Sequence, residues 1–166
     1  SLFFRVPILY RCVFDEAFLL STPEAEALDQ AAADISVRYG CGVYIVTLPD
    51  YAPYGTDVRN AAENYFLNHD LGLGGDDNGV LLMLSMLERD YALIAHGDLG
   101  NTAFTDYGKD VLSEAFLDDF RYDSWAAGFA DYISDSEKLL YAASTGTPVD
   151  VQQGSGIGMT LVRILL

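Results

Sequence analysis

The sequence predicts an α/β fold, a three-layer sandwich in which a small mixed β-sheet of about four strands carries helices on both faces. Two apolar stretches have the length and composition of buried strands: 42–49, which is rich in β-branched and aromatic residues, and 79–86, which is apolar on both faces. A third stretch, 91–96, follows the second after a short connection and is predicted to be its hairpin partner. Helical patterns of apolar residues lie before, between and after these stretches, so helices alternate with strands.

Capping residues delimit the predicted helices. The motif STPE at 21–24 has capping-box spacing, with a serine at the N-cap and a glutamate at N3, and Gly40 provides a C-terminal stop. Signals of this kind predict helices at 21–39, from Thr56 or Asp57 to about 68, at 105–119 and at 124–142. The glycine-punctuated stretch HGDLGN at 96–101 is predicted to be a loop.

Composition divides the chain into a body and two terminal segments. We expect an α/β domain over 13–142, preceded by an N-terminal extension, 1–12, and followed by a linker and an apolar run over 143–166. That run is shorter than the roughly 20 apolar residues that a membrane-spanning helix needs. It is interpreted either as a tail helix packed on the domain or as the start of a membrane anchor.

Charge is the outlying feature of the composition. The chain has 25 Asp and Glu against 9 Lys and Arg, which gives a formal net charge of −16. A field of this sign repels nucleic acid and attracts cations or basic partners. Nucleic-acid binding is therefore excluded from the predicted functions.

The two cysteines, Cys12 and Cys41, are not spaced as a zinc or redox motif. A disulfide between them would have to span the helix predicted at 21–39, which is about 28 Å long at roughly 1.5 Å per residue. Buried free thiols are therefore expected, and the disulfide is kept as the alternative.

Four aspartates are predicted to meet at one end of the sheet. If Met86 lies opposite Tyr91 across the turn, Gly79 faces Asp98, and the acidic loop before Gly79 reaches the glycine-rich loop after the hairpin. The helix predicted at 105–119 starts from the same end. The candidate metal ligands are Asp76, Asp77, Asp98 and Asp106.

Clustered carboxylates repel one another, and a bound divalent cation is the usual compensation. Ca²⁺ takes about six to eight oxygen ligands from flexible loops, whereas Mg²⁺ takes fewer protein ligands and keeps waters. The sequence therefore predicts a Ca²⁺ or Mg²⁺ site in these acidic loops. The competing interpretation is purely structural, since Asp, Asn and Gly are common turn residues and Asp106 can cap a helix.

The series of motifs resembles the TPM domain family. The similar stretches, in chain order, are VFDEAFLLSTPEAEAL (13–28), VYIVTLPDY (43–51), DNGVLLML (77–84), YALIAHGDLG (91–100) with TDYGKDVL (105–112), and YDSWAAGFADYI (122–133). Together they extend over nearly all of 13–140, and their order is more specific than any one of them.

The resemblance implies an α/β sandwich with a sheet of about four strands, an extracytoplasmic location and commonly a membrane span after the domain. It also implies divalent-cation binding in acidic loops and, for some members, weak phosphatase activity. Asp77 and Asp106 match the family's pattern, whereas Asp98 occupies a loop that varies in such proteins. Asp15 belongs to the pattern too, but it falls at the opposite end of the sheet if the strands at 42–48 and 79–86 are parallel.

The predicted function is that of an extracytoplasmic module that binds a divalent cation and acts as a binding or accessory domain at the membrane, where a protein partner is expected. The alternative is a metal-dependent phosphatase of low specificity acting on a phosphate ester. A cluster of Lys or Arg, a catalytic histidine pair or a DxDxT motif would favour phosphoryl transfer. The sequence has none of these features. Binding is therefore preferred to catalysis.

Overall fold

The computed structural model describes residues 10–149, which form a four-stranded sheet and five helices. The strands are β1 (Val13–Asp15), β2 (Gly42–Leu48), β3 (Gly79–Ser85) and β4 (Asp90–His96), in the spatial order β1-β2-β3-β4. The helices are α1 (Thr22–Tyr39), α2 (Val58–Asn68), α3 (Gly97–Ala103), α4 (Asp106–Arg121) and α5 (Trp125–Ser144). The pairs β1–β2 and β2–β3 are parallel and β3–β4 is antiparallel, so the predicted mixed sheet and α/β class are confirmed.

The helices cover the sheet unequally on its two faces. On one face, called the α2 face, Tyr44 of β2 contacts Phe66 of α2 with ring centroids 5.9 Å apart. On the other, called the α5 face, Tyr91 of β4 contacts Phe116 of α4, which in turn packs on Tyr132 of α5. Helix α1 packs beside α5 on that face. The result is the layered sandwich that the sequence predicts.

The two central strands, β2 and β3, are buried along their whole length. A strand with helices on both faces needs apolar side chains in both directions, which explains why GVYIVTL and GVLLMLS do not alternate with polar residues. Their buried threonine and serine hydroxyls are both hydrogen bonded. Thr47 Oγ1 donates to Asp15 (2.6 Å), and Ser85 Oγ donates to Glu88.

The predicted caps of α1 and α2 are present in the structure, whereas α4 is capped by Thr105 and not by Asp106, and Ser124 before α5 makes no side-chain cap hydrogen bond. Ser21 caps α1 in a reciprocal capping box with Glu24, and Gly40 ends the helix in the left-handed conformation, with φ 67°. For α2 the cap is Asp57, whose carboxylate accepts from the Asn60 N–H (2.7 Å). Each side-chain cap satisfies a backbone N–H that the first turn of a helix leaves unpaired.

The predicted hairpin register is wrong by two residues. Gly79 faces His96 rather than Asp98. A slip of two residues leaves every side chain on the same face of the sheet, so the apolar pattern cannot distinguish the two registers. The turn sets the register instead: the Arg89 N–H donates to the Met86 carbonyl (3.2 Å), and Arg89 takes a left-handed φ of 51°.

Two elements are not indicated by the sequence pattern. Strand β1 is only three residues long, too short for a periodicity to be recognised. The stretch predicted to be a loop after β4 is helix α3, Gly97–Ala103. Its glycines lower its helix propensity, and seven residues are too few to display an amphipathic pattern.

Cys12 and Cys41 are both buried and free, so the expected thiols are confirmed and the alternative disulfide is not formed. Burial raises the pKa of each thiol to about 12. Both therefore remain protonated near neutral pH and behave as small apolar side chains.

The terminal segments fall largely outside the described residues. This applies to the predicted extension as far as residue 9 and to the apolar run from residue 150 onward. Among the helices between residues 10 and 149, none combines the length and the apolar character that crossing a membrane requires. Val149, the last described residue, accepts a hydrogen bond from Thr105 Oγ1 (2.8 Å).

Candidate functional site

The acidic loop between α2 and β3 is a compact turn that exposes its carboxylates. Leu73 and Asn78 exchange two backbone hydrogen bonds (3.0 and 2.8 Å), which close the loop over 74–77. Asp77 adopts a left-handed φ of 50°, a conformation that Asp tolerates better than most residues. Asp76 and Asp77 are both exposed. The turn therefore presents two adjacent carboxylates at the amino end of β3.

The Asn78 side chain joins this loop to the start of α3. Its Oδ1 accepts from the N–H groups of Leu99 (2.9 Å) and Gly100 (3.4 Å), and its Nδ2 donates to the Leu73 carbonyl (3.3 Å). Only an amide side chain offers an acceptor and donors together at this length. An aspartate would lack the donor. This explains why the residue after Asp76 and Asp77 is an asparagine and not a third aspartate.

Gly97 lets the backbones of the two acidic segments touch. Its φ is 82°, and a Cβ there would overlap Asn78 Oδ1 and lie 2.8 Å from the Asp76 carbonyl oxygen. Asp98 follows immediately and is exposed in the first turn of α3. Asp76, Asp77 and Asp98, called here the acidic rim, thus belong to two segments in direct contact.

Asp106, the fourth predicted ligand, has a different set of contacts. It is fully exposed in the first turn of α4, where its Oδ1 lies 3.4 Å from Lys109 Nζ. It also lines a cavity of about 390 Å³ together with His96 and Asn101. A carboxylate at this position stabilises the amino end of α4 through the helix dipole. Asp106 therefore has a cationic neighbour and a structural role without a metal.

The acidic rim offers oxygen ligands suited to a hard cation, but these ligands are not preorganised as a coordination site. Carboxylate and carbonyl oxygens are the ligands that Ca²⁺ and Mg²⁺ prefer. Within residues 10–149, however, no group of three or more His, Cys, Asp or Glu side chains is arranged to hold a metal ion. A cation bound at the rim would need water molecules, or a rearrangement of the exposed loop, to complete its coordination.

Aromatic residues on the α2 face of the sheet make hydrogen bonds to the backbone of the acidic loop. The His96 Nδ1–H donates to the Asp77 carbonyl (3.0 Å), and its ring stacks on Phe66 with centroids 5.0 Å apart. The Gly72 N–H donates to the Tyr44 hydroxyl (2.7 Å). No role for His96 is predicted from the sequence, although the alternation of β4 directs it to this face together with two buried residues of the strand.

The Tyr44 hydroxyl is held in its neutral form. Burial raises the pKa of Tyr44 to about 12, against the opposing effect of the Gly72 N–H, and the charge of Asp77 adds to the rise. The phenol therefore serves as a hydrogen-bonding group beneath the loop and not as a charged one.

Asp15 lies at the opposite end of the sheet, as expected for parallel strands. It pairs with Thr47 near the carboxyl end of β2, whereas the rim adjoins the amino end of β3. Its Oδ1 accepts from Thr47 Oγ1 (2.6 Å) and from the Leu19 N–H (3.1 Å), and its Oδ2 accepts from the Leu20 N–H (2.9 Å). Both oxygens are thus engaged in holding the turn between β1 and α1.

Solved structures with this fold come from several bacteria. The N-terminal domain of a protein from P. gingivalis has a TM-score of 0.67 at 20% identity, over 84% of this chain and 87% of that chain. The N-terminal domain of the cg2496 protein from Corynebacterium glutamicum has a TM-score of 0.61 at 17% identity, over 83% and 86%. The BA42 protein from the psychrophilic bacterium Bizionia argentinensis has a TM-score of 0.63 at 17% identity, over 82% and 90%. At these identities the likeness concerns the fold alone.

The sequence carries a family signature of its own. No curated protein matches the chain. The sequence profile described as the TPM domain matches residues 13–139, a range that begins with β1, ends within α5 and includes the acidic rim and Asp106. This match spans well over half of the chain. The chain therefore belongs to the TPM domain family.

Proposed function

We propose that this TPM domain binds a divalent cation, Ca²⁺ or Mg²⁺, at the acidic rim and acts outside the cytoplasm as a binding or accessory module at a membrane. The observation that carries the proposal is the Asn78 side chain, which fastens the loop of Asp76 and Asp77 to the segment of Asp98. Carboxylates of two chain segments are thereby kept on neighbouring turns. The net charge of −16 adds a field that attracts cations to the surface.

We expect weak binding that follows the cation concentration. Because no three acidic side chains between residues 10 and 149 are arranged as ligands beforehand, ordering the loop costs part of the binding free energy. Extracellular calcium modules have dissociation constants of about 10⁻⁴ to 10⁻³ M, and the rim is expected in that range. The fraction of modules that hold a cation would then follow the cation concentration around the protein.

In the proposed role, the bound cation orders the rim for a protein partner at the membrane surface. The rim carboxylates are exposed, so a cation held there keeps coordination positions that face outward. Water fills these positions in the free module, and an oxygen ligand of the partner can replace it. The cation would then contribute both to the order of the loop and to the contact.

Calcium titration of the full chain, followed by amide NMR at constant ionic strength, tests the proposal. We expect saturable shifts at 73–78 and 97–100. Asp77→Asn should weaken binding by about tenfold or more, because a ligand charge is lost. Asp106→Asn is the matched control and should leave the titration unchanged. Equal titrations of wild type and D77N would contradict the proposal, and weaker binding by D106N would favour the full set of four aspartates.

The alternative, a metal-dependent phosphatase of low specificity, is distinguished from binding by turnover. Hydrolysis of para-nitrophenyl phosphate would have to appear with Mg²⁺ or Ca²⁺, disappear with a chelator and fall by about tenfold in Asp77→Ala. We expect a calcium-dependent rise in Tm with hydrolysis at the background level. Turnover that depends on Asp77 would replace the binding function by the catalytic one.

A further inference from the structure

The outer edge of β4 is open over most of its length. β4 is the last strand of the sheet, and no strand within the described part of the chain pairs with its outer side. Every second residue of an edge strand directs its N–H and C=O outward. The Tyr91 N–H already donates to the Asp90 carboxylate (2.8 Å), and beyond it β4 offers a row of donors and acceptors. Proteins usually protect such an edge with a proline, a bulge or a charged side chain. The interior of β4, YALIA at 91–95, contains none of these, and its pairing with β3 is continuous.

Helices from the two faces of the sheet rise on either side of this edge and make it the floor of a groove. Two cavities of about 440 and 390 Å³ run along β4, the first over 91–93 and the second over 94–96. Both are lined by Arg59, Asp106 and Lys109, so the two cavities adjoin. The two cavities follow the strand from 91 to 96 and are together called the edge groove.

The walls of the edge groove carry charges of both signs. Helix α2 contributes Arg59 and Glu63 to one wall, and helix α4 contributes Asp106, Lys109 and Asp110 to the other. Each cation has an acidic neighbour: Arg59 Nε lies 3.3 Å from Glu63, and Lys109 Nζ lies 3.4 Å from Asp106. Asp110, exposed one turn after Asp106, adds a further carboxylate. The walls therefore have a net negative charge.

Charge complementarity decides what kind of chain fits. An occupant of the edge groove meets the carboxylates of both walls at close range and the field of a molecule with a net charge of −16 at long range. This field accelerates association with basic partners and opposes acidic ones. A second copy of this chain would bring the same negative charge to the contact. A basic polypeptide meets no such repulsion.

We propose that the edge groove accepts an extended segment of a basic partner polypeptide, which pairs with β4 as an additional strand. Main-chain hydrogen bonds to the open edge supply affinity, and alternate side chains point to the two walls and supply selectivity. Basic side chains on the α5 face meet Asp106 and Asp110, and those on the α2 face meet Glu63. This interaction does not depend on cation binding at the acidic rim.

Peptide titration of the full chain in the presence of EDTA tests the inference separately from the cation proposal. The probe is a blocked peptide of about nine residues that alternates lysine and valine. We expect amide shifts along 91–96 and on the facing sides of α2 and α4. Asp110→Lys should weaken binding by about tenfold or more, because it reverses a wall charge. Glu26→Lys, the same change on exposed α1, is the matched control and should retain most of the affinity.

A second peptide separates strand addition from simple charge attraction. The same sequence with all of its backbone amides methylated keeps its charge but has no amide N–H on either edge to donate to β4. We expect the methylated peptide not to bind. Equal binding of both peptides would overturn the inference, and so would amide shifts spread over other acidic surfaces of the protein. Hydrogen exchange of the backbone amides, measured without peptide, tests whether another occupant already pairs with the edge of β4. Protection of the outer β4 amides that grows with concentration would assign the edge to a second copy, and protection in dilute solution would assign it to this chain's own residues beyond 149.

Discussion

At the scale of single residues, the geometry of the candidate cation site is set by groups that would not touch the cation. The amide of Asn78 accepts from two backbone N–H groups at the start of α3 and donates to Leu73. Gly97 leaves the space that this amide occupies, since a side chain there would overlap its oxygen. The carboxylates of the rim are exposed, but the contact between the segments that carry them depends on this pair.

Gly97→Ala should lower the free energy of unfolding by about 2–3 kcal/mol, because it forces a left-handed φ on alanine and displaces the Asn78 amide. Gly75→Ala, in the same acidic loop, is the matched control. Gly75 does not have a left-handed φ, and a Cβ there meets nothing within 4 Å, so its effect should stay within about 0.5 kcal/mol. Urea unfolding followed by circular dichroism measures both. Equal effects would contradict the role assigned to Gly97.

At the scale of elements, α5 is fixed to the sheet by a buried hydroxyl as well as by apolar packing. Tyr132 is fully buried, and its OH donates to the Tyr44 carbonyl (2.9 Å) and lies 3.4 Å from the Val80 carbonyl. One phenol thus reaches the backbones of both central strands. Burial raises the pKa of Tyr132 well above its usual value, so the donor proton is retained.

Tyr132→Phe should cost about 1–2 kcal/mol of stability, because it removes this hydrogen bond and leaves the ring packing unchanged. Tyr141→Phe on the same helix is the control, since Tyr141 is 61% exposed and should lose less than about 0.5 kcal/mol. Chemical denaturation of the two variants gives the comparison. A Y132F variant as stable as Y141F would show that packing alone fixes α5.

The contact between α4 and α5 also contains a pH-sensitive pair of carboxyl groups. A hydrogen bond to Asp119, with burial and the neighbouring negative charges, raises the pKa of Asp131 from 3.8 to about 6. A folded-state pKa above the unfolded value means that the folded protein binds the additional proton. This contribution to stability is complete below about pH 4 and is lost as the pH rises through about 6.

Asp131→Asn should therefore raise Tm at pH 7 and leave it nearly unchanged at pH 4, since asparagine resembles the protonated acid. Because Asp131 is exposed, the gain should remain below about 1 kcal/mol. Thermal unfolding of wild type and variant across this pH range is the measurement. Profiles that stay parallel from pH 4 to 7 would mean that the pair does not influence stability.

At the scale of the whole molecule, self-repulsion opposes the compact state. The net charge is −16, and the ion pairs on the surface, such as Arg38–Glu137 and Arg89–Asp123, are solvent-exposed and contribute little each. Salt screens the repulsion between distant carboxylates more than it weakens these close pairs.

Raising NaCl from about 10 mM to about 0.5 M should therefore increase Tm by a few degrees. CaCl₂ at the same ionic strength should increase it further if the acidic rim binds the cation, because ligand binding stabilises the folded state by mass action. Differential scanning fluorimetry with both salts separates screening from binding. A Tm that falls with NaCl would mean that favourable surface pairs outweigh the repulsion.

The parts of this fold that follow from the sequence are those encoded locally. The apolar runs of β2 and β3 and the capping box at Ser21 are each specified within a few neighbouring residues. The hairpin register and α3 are not, because a slip of two residues preserves every face and a short glycine-bearing helix has no recognisable stripe. The exposure of Asp76 and Asp77 follows from their position in a turn. The position of Asp106 relative to them depends on α3, so it could not be derived from the sequence.

The turn held by Asp15 has a consequence for solubility. Strand β1 has only three residues, yet it covers the side of β2 that faces away from β3. If the Asp15 carboxylate were lost and β1 detached, the entirely buried segment GVYIVTL would become an unpaired edge strand of the sheet. Segments of that composition assemble readily into intermolecular β-structure. An acidic residue remote from the acidic rim would in this way protect the protein from aggregation.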